Sequence, residues 1–203
     1  MVISAEQVKQ LRQATEAPMM ECKAALQKAN GNFEEALKIL RTQGLAVAKK
    51  KQQRETKDGT IFAYIHPGGK LGVLVEINCE TDFVAKNAEF QELGKNIAMQ
   101  IAASNPFVVS QNQITEEMIA QEKEIYLEQA KKSGKPEKFW DNIVEGKVKK
   151  YYKDICLLEQ PYIKDPNITV SDYISEIVAK VRENITIRRF TRYVLGEKQN
   201  TLG

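Results

Sequence analysis

Three features of the sequence predict an α+β fold: a succession of short capped helices at the N-terminus, a hairpin pattern after them, and an alternating run near the C-terminus. The expected order is a three-helix N-terminal module over residues 1–45, a basic linker over 46–59, and an antiparallel sheet covered by helices over 60–203. At 203 residues the chain has room for a small module and a medium core domain.

The first helix follows Ser4, whose hydroxyl and Gln7 form a capping box, with Val8 and Leu11 sharing a face. Pro18 suits the start of a second helix, in which Cys22, Ala25, Leu26 and Ala29 recur at helical spacing until Asn30-Gly31. Asn32 and Glu35 repeat the cap for a third, whose stripe is Phe33, Ala36, Leu37 and Leu40, with Gly44 expected to end it. The run "LAVAKKKQQRETKDG" then loses apolar periodicity and carries Lys49, Lys50, Lys51, Arg54 and Lys57. It reads as a solvated tether, since no aromatics are interleaved with its charges.

In "TIFAYIHPGGKLGVLVEINC" two strand-like runs flank Pro67-Gly68-Gly69, which predicts a hairpin. Val73, Val75, Ile77 and Cys79 face one way, Glu76 and Asn78 the other. Phe90, Leu93, Ile97 and Ile101 mark a helix ending by Asn105-Pro106. Thr115 caps the next, with Met118, Ile125 and Leu127 among its apolar positions and Ser133-Gly134 at its end. Pro136 opens a further helical stretch, which Gly146 is expected to divide, and Pro161 and Pro166 are expected to break the chain. "VSDYISEIVAKVREN" reads as a last helix and "ITIRRFTRYVL" as a strand whose alternation slips between Ile187 and Phe190.

Composition narrows the function. The net charge is only +3, so no strong polyanion signal emerges, and no stretch approaches a membrane span. Cys22, Cys79 and Cys156 lie far apart in apolar patterns, which predicts reduced, buried thiols in a cytosol-like compartment and no zinc site. The single histidine, His66, sits at a hairpin corner without an implied acid partner. "GGKLG" is a turn, and neither a Gly-Lys-Ser/Thr phosphate loop nor a Gly-x-Gly-x-x-Gly helix start is present. A binding protein without cofactor or metal is favoured over an enzyme.

The segment "NCETDFVAKN" poses the main question. Phe83, Phe90 and Ile97 are spaced by seven, so one unbroken helix would bury all three on one stripe. Asn87 is a good cap residue, and a break there would release Phe83. The residues alone leave both readings open. Met19 and Met20 likewise suit either packing inside the module or an adaptable apolar contact, and Lys23 either a contact or a solvated charge.

"NCETDFVAKN", "MMECKAALQKANGNFEEALKILR", "LLEQPYIKD" and "RRFTRY" together resemble the elongation factor Ts family, over nearly every residue. The family's usual Thr-Gly-Ala-Gly is Thr15-Glu16-Ala17-Pro18 here. The resemblance implies nucleotide exchange on elongation factor Tu, with Thr81, Asp82, Phe83 and Val84 in the segment that dislodges the partner's magnesium ion. It also implies Met19, Met20 and Lys23 as contacts of the N-terminal module, and a homodimer, as in the compact members. The expected location is the cytoplasm, or an organelle interior. The small module resembles ubiquitin-associated folds, which keeps open an adaptor that binds proteins through that module alone. A nucleic-acid reading through Lys49–Lys57, Arg188, Arg189 and Arg192 is the weaker rival, and neither nucleic acid nor a membrane is expected as a direct partner.

Overall fold

The computed structural model describes residues 3–197. Three helices precede a strand pair, a run of helices follows, and the chain separates into two compact units, one from residues 3–60, 77–93 and 172–186, the other from 61–76, 94–171 and 187–197.

In the first unit, α1 (Ala5–Thr15) begins with the Ser4–Gln7 capping box. Glu16, with φ at 56°, turns the chain towards α2 (Met19–Lys28). Helix α3 (Phe33–Lys51) starts where the Asn32 side chain accepts the Glu35 amide at 3.1 Å. Val8, Leu11, Cys22, Ala25, Leu26, Ala29, Ala36 and Leu40 form the buried cluster of these helices, with Phe33 and Leu37 packed against it. The expected stop at Gly44 is not one: α3 runs through it, so residues 46–51 of the expected linker are helical. Alanine, lysine and glutamine are good helix formers, and Ala48 is buried. Gly44 meets a packing need instead, because a Cβ there would stand 3.0 Å from that of Ala179.

A three-stranded sheet has the order β1 (Asp58–Ile65), β2 (Leu71–Cys79), β5 (Ile185–Val194). The His66 amide bonds the Leu71 carbonyl at 2.9 Å, and Gly68 and Gly69 take positive φ to close the hairpin. Val73, Val75, Ile77 and Cys79 are buried as the alternation requires. After β2 come a single turn, α4 (Asp82–Ala85), and the long α5 (Ala88–Ser104), whose Phe90, Leu93, Ile97 and Ile101 are fully buried. In the second unit Gly94 lets α5 approach β1, since a Cβ there would lie 2.3 Å from the Phe62 ring.

Helices α6 (Glu116–Lys132) and α7 (Trp140–Ile155) pack along each other. Thr115 caps α6, accepting the Met118 amide at 3.2 Å. One expectation fails in this pair: Gly146 does not divide α7, where nothing crowds it. Ile125 is about half exposed, and Ala130 is the buried residue of α6. Pro161 and Pro166 do not simply break the chain either. They lie in a small antiparallel hairpin, β3 (Pro161–Tyr162) and β4 (Asp165–Thr169), with an irregular register. Its backbone is held by buried Gln100, which accepts the Ile163 amide at 2.8 Å and donates to the Pro161 carbonyl at 3.2 Å. Helix α8 (Val170–Val181) and β5 complete the order, with Arg182 at φ 62° between them.

Candidate partner-binding site

The end of β2 passes through Glu80 and Thr81 into α4. Thr81 is extended, at φ −136° and ψ 158°, and its hydroxyl accepts the Val84 amide at 3.5 Å, a long capping bond. The Asn87 side chain accepts the Glu89 amide at 2.8 Å, and its carbonyl accepts the Gln91 amide at 3.0 Å. Asn87 therefore caps α5 and separates it from α4. The interruption settles where the two phenylalanine rings go: Phe90 is fully buried, while Phe83 is 82% exposed.

Asp82 is exposed beside it, and its Oδ2 takes a hydrogen bond from Lys86 Nζ at 2.7 Å. That bond holds the Asp82 carboxyl below its ordinary range and the Lys86 ammonium above its own. Val84 is buried, so of the four residues Asp82 and Phe83 are the ones turned outward.

A short peptide turn so exposed needs a brace, and the polar groups of Thr81 supply it. Its amide donates to Glu183 Oε2 at 3.0 Å and its hydroxyl to Glu183 Oε1 at 2.7 Å. Its carbonyl accepts the Ala85 amide at 3.2 Å and the Cys79 thiol at 3.2 Å. Burial, then the neighbouring Glu183 and Asp58 carboxylates, push that thiol up to about 11. The arrangement is reciprocal, because Glu80 Oε1 accepts the Asn184 amide at 2.7 Å while Arg54 donates to Glu80 Oε2 at 3.3 Å. Asn184, itself buried, donates to the Arg54 carbonyl at 2.8 Å. The Lys51 ammonium bonds the Arg182 carbonyl.

Met19 and Met20 open α2 and are 55% and 72% exposed; Lys23 is exposed one turn on. Neither methionine joins the buried cluster of the module. The same turn that holds Thr81 reaches α2, since Arg182 donates to Glu21 Oε1 at 2.6 Å. Around it, Lys180 pairs with Glu16 at 3.1 Å and with Glu89 at 3.4 Å. Burial lowers the Lys180 pKa, but the Glu16 and Glu89 carboxylates outweigh it and leave the ammonium above its usual range. Glu183, Asn184 and Arg182 carry no local sequence signal: their partners stand about a hundred residues or more away.

No helix among the described residues is long and apolar enough to cross a membrane. Cys22, Cys79 and Cys156 are buried free thiols.

The pattern that defines the family Elongation factor TS matches residues 2–197. Elongation factor Ts of Syntrophus aciditrophicus (strain SB) is 51% identical over 198 residues, covering 98% of both chains. That of Fervidobacterium nodosum is 53% identical over 197 residues, 97% of this chain and all of its own. That of Koribacter versatilis is 52% identical over 202 residues, all of this chain and 92% of its own. An α+β protein with such relatives along its whole length is a translation elongation factor. The chain belongs to the elongation factor Ts family.

Proposed function

We propose that the chain is a guanine nucleotide exchange factor for elongation factor Tu, and that it promotes GDP release by disturbing the partner's magnesium site. The observation that carries this reading is Phe83, a bare ring 82% exposed on a turn whose backbone is held at both ends. Exposing a phenyl ring to water is unfavourable, and a braced turn that does so presents it to another surface. Magnesium grips GDP by strict octahedral geometry and by balancing phosphate charge. A ring wedged nearby, with the Asp82 carboxylate beside it, displaces the groups around the ion and weakens that grip. No covalent bond changes. Factor and nucleotide weaken each other by the same ratio, so the factor speeds equilibration and nucleotide concentrations decide the product.

Met19, Met20 and Lys23 form the anchoring contact in this reading, the thioethers adapting to an apolar patch. Ile61, Ile65 and Leu74 of the sheet are exposed apolar residues and support a homodimer, with the cytoplasm as the place of action. The deciding measurement is stopped-flow release of fluorescent GDP from elongation factor Tu, with and without the protein. Acceleration is expected; an unchanged rate overturns the reading.

A further inference from the structure

We infer that Glu183 is a positioning residue for exchange: it fixes the direction in which Phe83 leaves the backbone by binding both the amide and the hydroxyl of Thr81. Taking Phe83 as the wedge, as proposed above, the ring's aim depends on where the α4 turn begins. The ring is too exposed to be held by packing of its own. Its aim is inherited from the backbone, and α4 is a single turn of four residues with little intrinsic stability.

Thr81 is the last extended residue before that turn. A threonine hydroxyl has one hydrogen to give and two lone pairs to accept with. Donating the hydrogen to Glu183 orients a lone pair towards the Val84 amide, so the carboxylate sets the cap as well as the amide. Two bonds from the two oxygens of one carboxylate also fix rotation about the Thr81 backbone, which one bond would leave free.

The carboxylate can serve as a reference point because its own backbone is immobilised. Arg182 before it is held through its side chain by Glu21 and through its carbonyl by Lys51. Asn184 after it is held through its amide by Glu80 and through its side chain by the Arg54 carbonyl. Buried Val84 and Ala85 seat the turn from below, and Glu183, on an anchored segment, fixes where it begins at Thr81.

The test is Glu183→Gln, which keeps size and one acceptor oxygen but sets an NH2 donor where the second oxygen faced a donor of Thr81. GDP release from elongation factor Tu is followed by stopped flow across a range of factor concentrations. At saturation the rate should fall about tenfold, the order expected when a reacting group is displaced by a fraction of an ångström. The concentration for half-saturation should stay within about twofold, because the methionine anchor is untouched. A purely structural role would leave the saturating rate unchanged below the melting temperature. Thr81→Val should give a similar loss, and the double variant should be little worse than either, since both remove one interaction. Glu176→Gln, which breaks the α8 pair with Arg41, should leave the rate alone.

A second readout needs no GTPase. The Cys79 thiol bonds the Thr81 carbonyl, so loosening Thr81 should speed Cys79 alkylation, followed by peptide mass spectrometry, while Cys22 labelling stays constant. Should Glu183→Gln fail to fold, Thr81→Val carries both measurements. If the unmodified protein accelerates release and Glu183→Gln does so equally at saturation, the positioning role is overturned. If the unmodified protein itself fails to accelerate release, the exchange reading falls, and the positioning role with it.

Discussion

Phe83 and Phe90 are the same residue, seven positions apart, on consecutive helical segments, yet one ring is 82% exposed and the other 0%. What separates them is a cap. Asn87 ends one helical segment and begins the next, so the shared stripe implied by their spacing never forms. Phe90 is held by burial. The turn that carries Phe83 is held by hydrogen bonds and ion pairs to Thr81, Asp82 and Glu80. Burial fixes a side chain and gives it no outward use, whereas a polar brace fixes the backbone and leaves the side chain free to meet another molecule.

The largest effect expected from this contrast is on folding. Phe90→Ala should cost about 3–5 kcal/mol, by the usual loss for a buried ring. Phe83→Ala should stay within about 0.5 kcal/mol, as surface changes do, while slowing GDP release. Denaturant midpoints of the two variants, with stopped-flow exchange for the second, check both at once. A Phe83→Ala protein that unfolds early would break the contrast. Next in size, Asn87→Ala should lose about 1 kcal/mol through the missing cap. Amide hydrogen exchange should show the loss first at Glu89, whose partner has gone.

The mildest test is acid. Burial pushes the Glu80 carboxyl up, but the Asn184 amide and the Arg54 guanidinium outweigh it and leave it below its ordinary value of 4.5. A carboxyl lowered in the folded state contributes stability above its unfolded pKa and loses it as pH falls through the folded one. Stability should therefore decline below about pH 4.5 with a slope that Glu80→Gln makes shallower. Denaturant midpoints from pH 6 down to 3 measure it; identical slopes would remove Glu80 from the brace.

Much of this architecture was legible in the sequence because local rules fix it. Ser4, Asn32 and Thr115 cap where a hydroxyl or amide precedes a helix, and β2 buries alternate residues as its pattern demands. Sequence alone left Phe83 undecided, since its spacing and the Asn87 cap point in opposite directions; the resemblance to a family favoured the exposed reading. Glu183 escaped entirely. Its partner is 102 residues away, and nothing in "VREN" marks a carboxylate that will meet a threonine at a strand end. The β3–β4 hairpin was missed for a related reason: prolines argue against strands, but here Gln100, from a distant helix, supplies bonds that organise the segment.

Two of the glycines inside helices, Gly44 and Gly146, looked alike as expected breaks and are opposites for anyone wishing to make the protein hardier. Filling helix glycines with alanine is a standard route to a higher melting temperature, with a gain of about 1 kcal/mol per site where the new methyl has room. Gly146 has nothing within 4 Å of that methyl, so Gly146→Ala should raise the midpoint. Gly44→Ala would set a methyl 3.0 Å from Ala179 and wedge α3 away from α8, whose far end leads to Glu183. A thermostable version of this factor has to leave residue 44 bare, or accept that a change made for heat resistance is felt at the turn that holds Thr81.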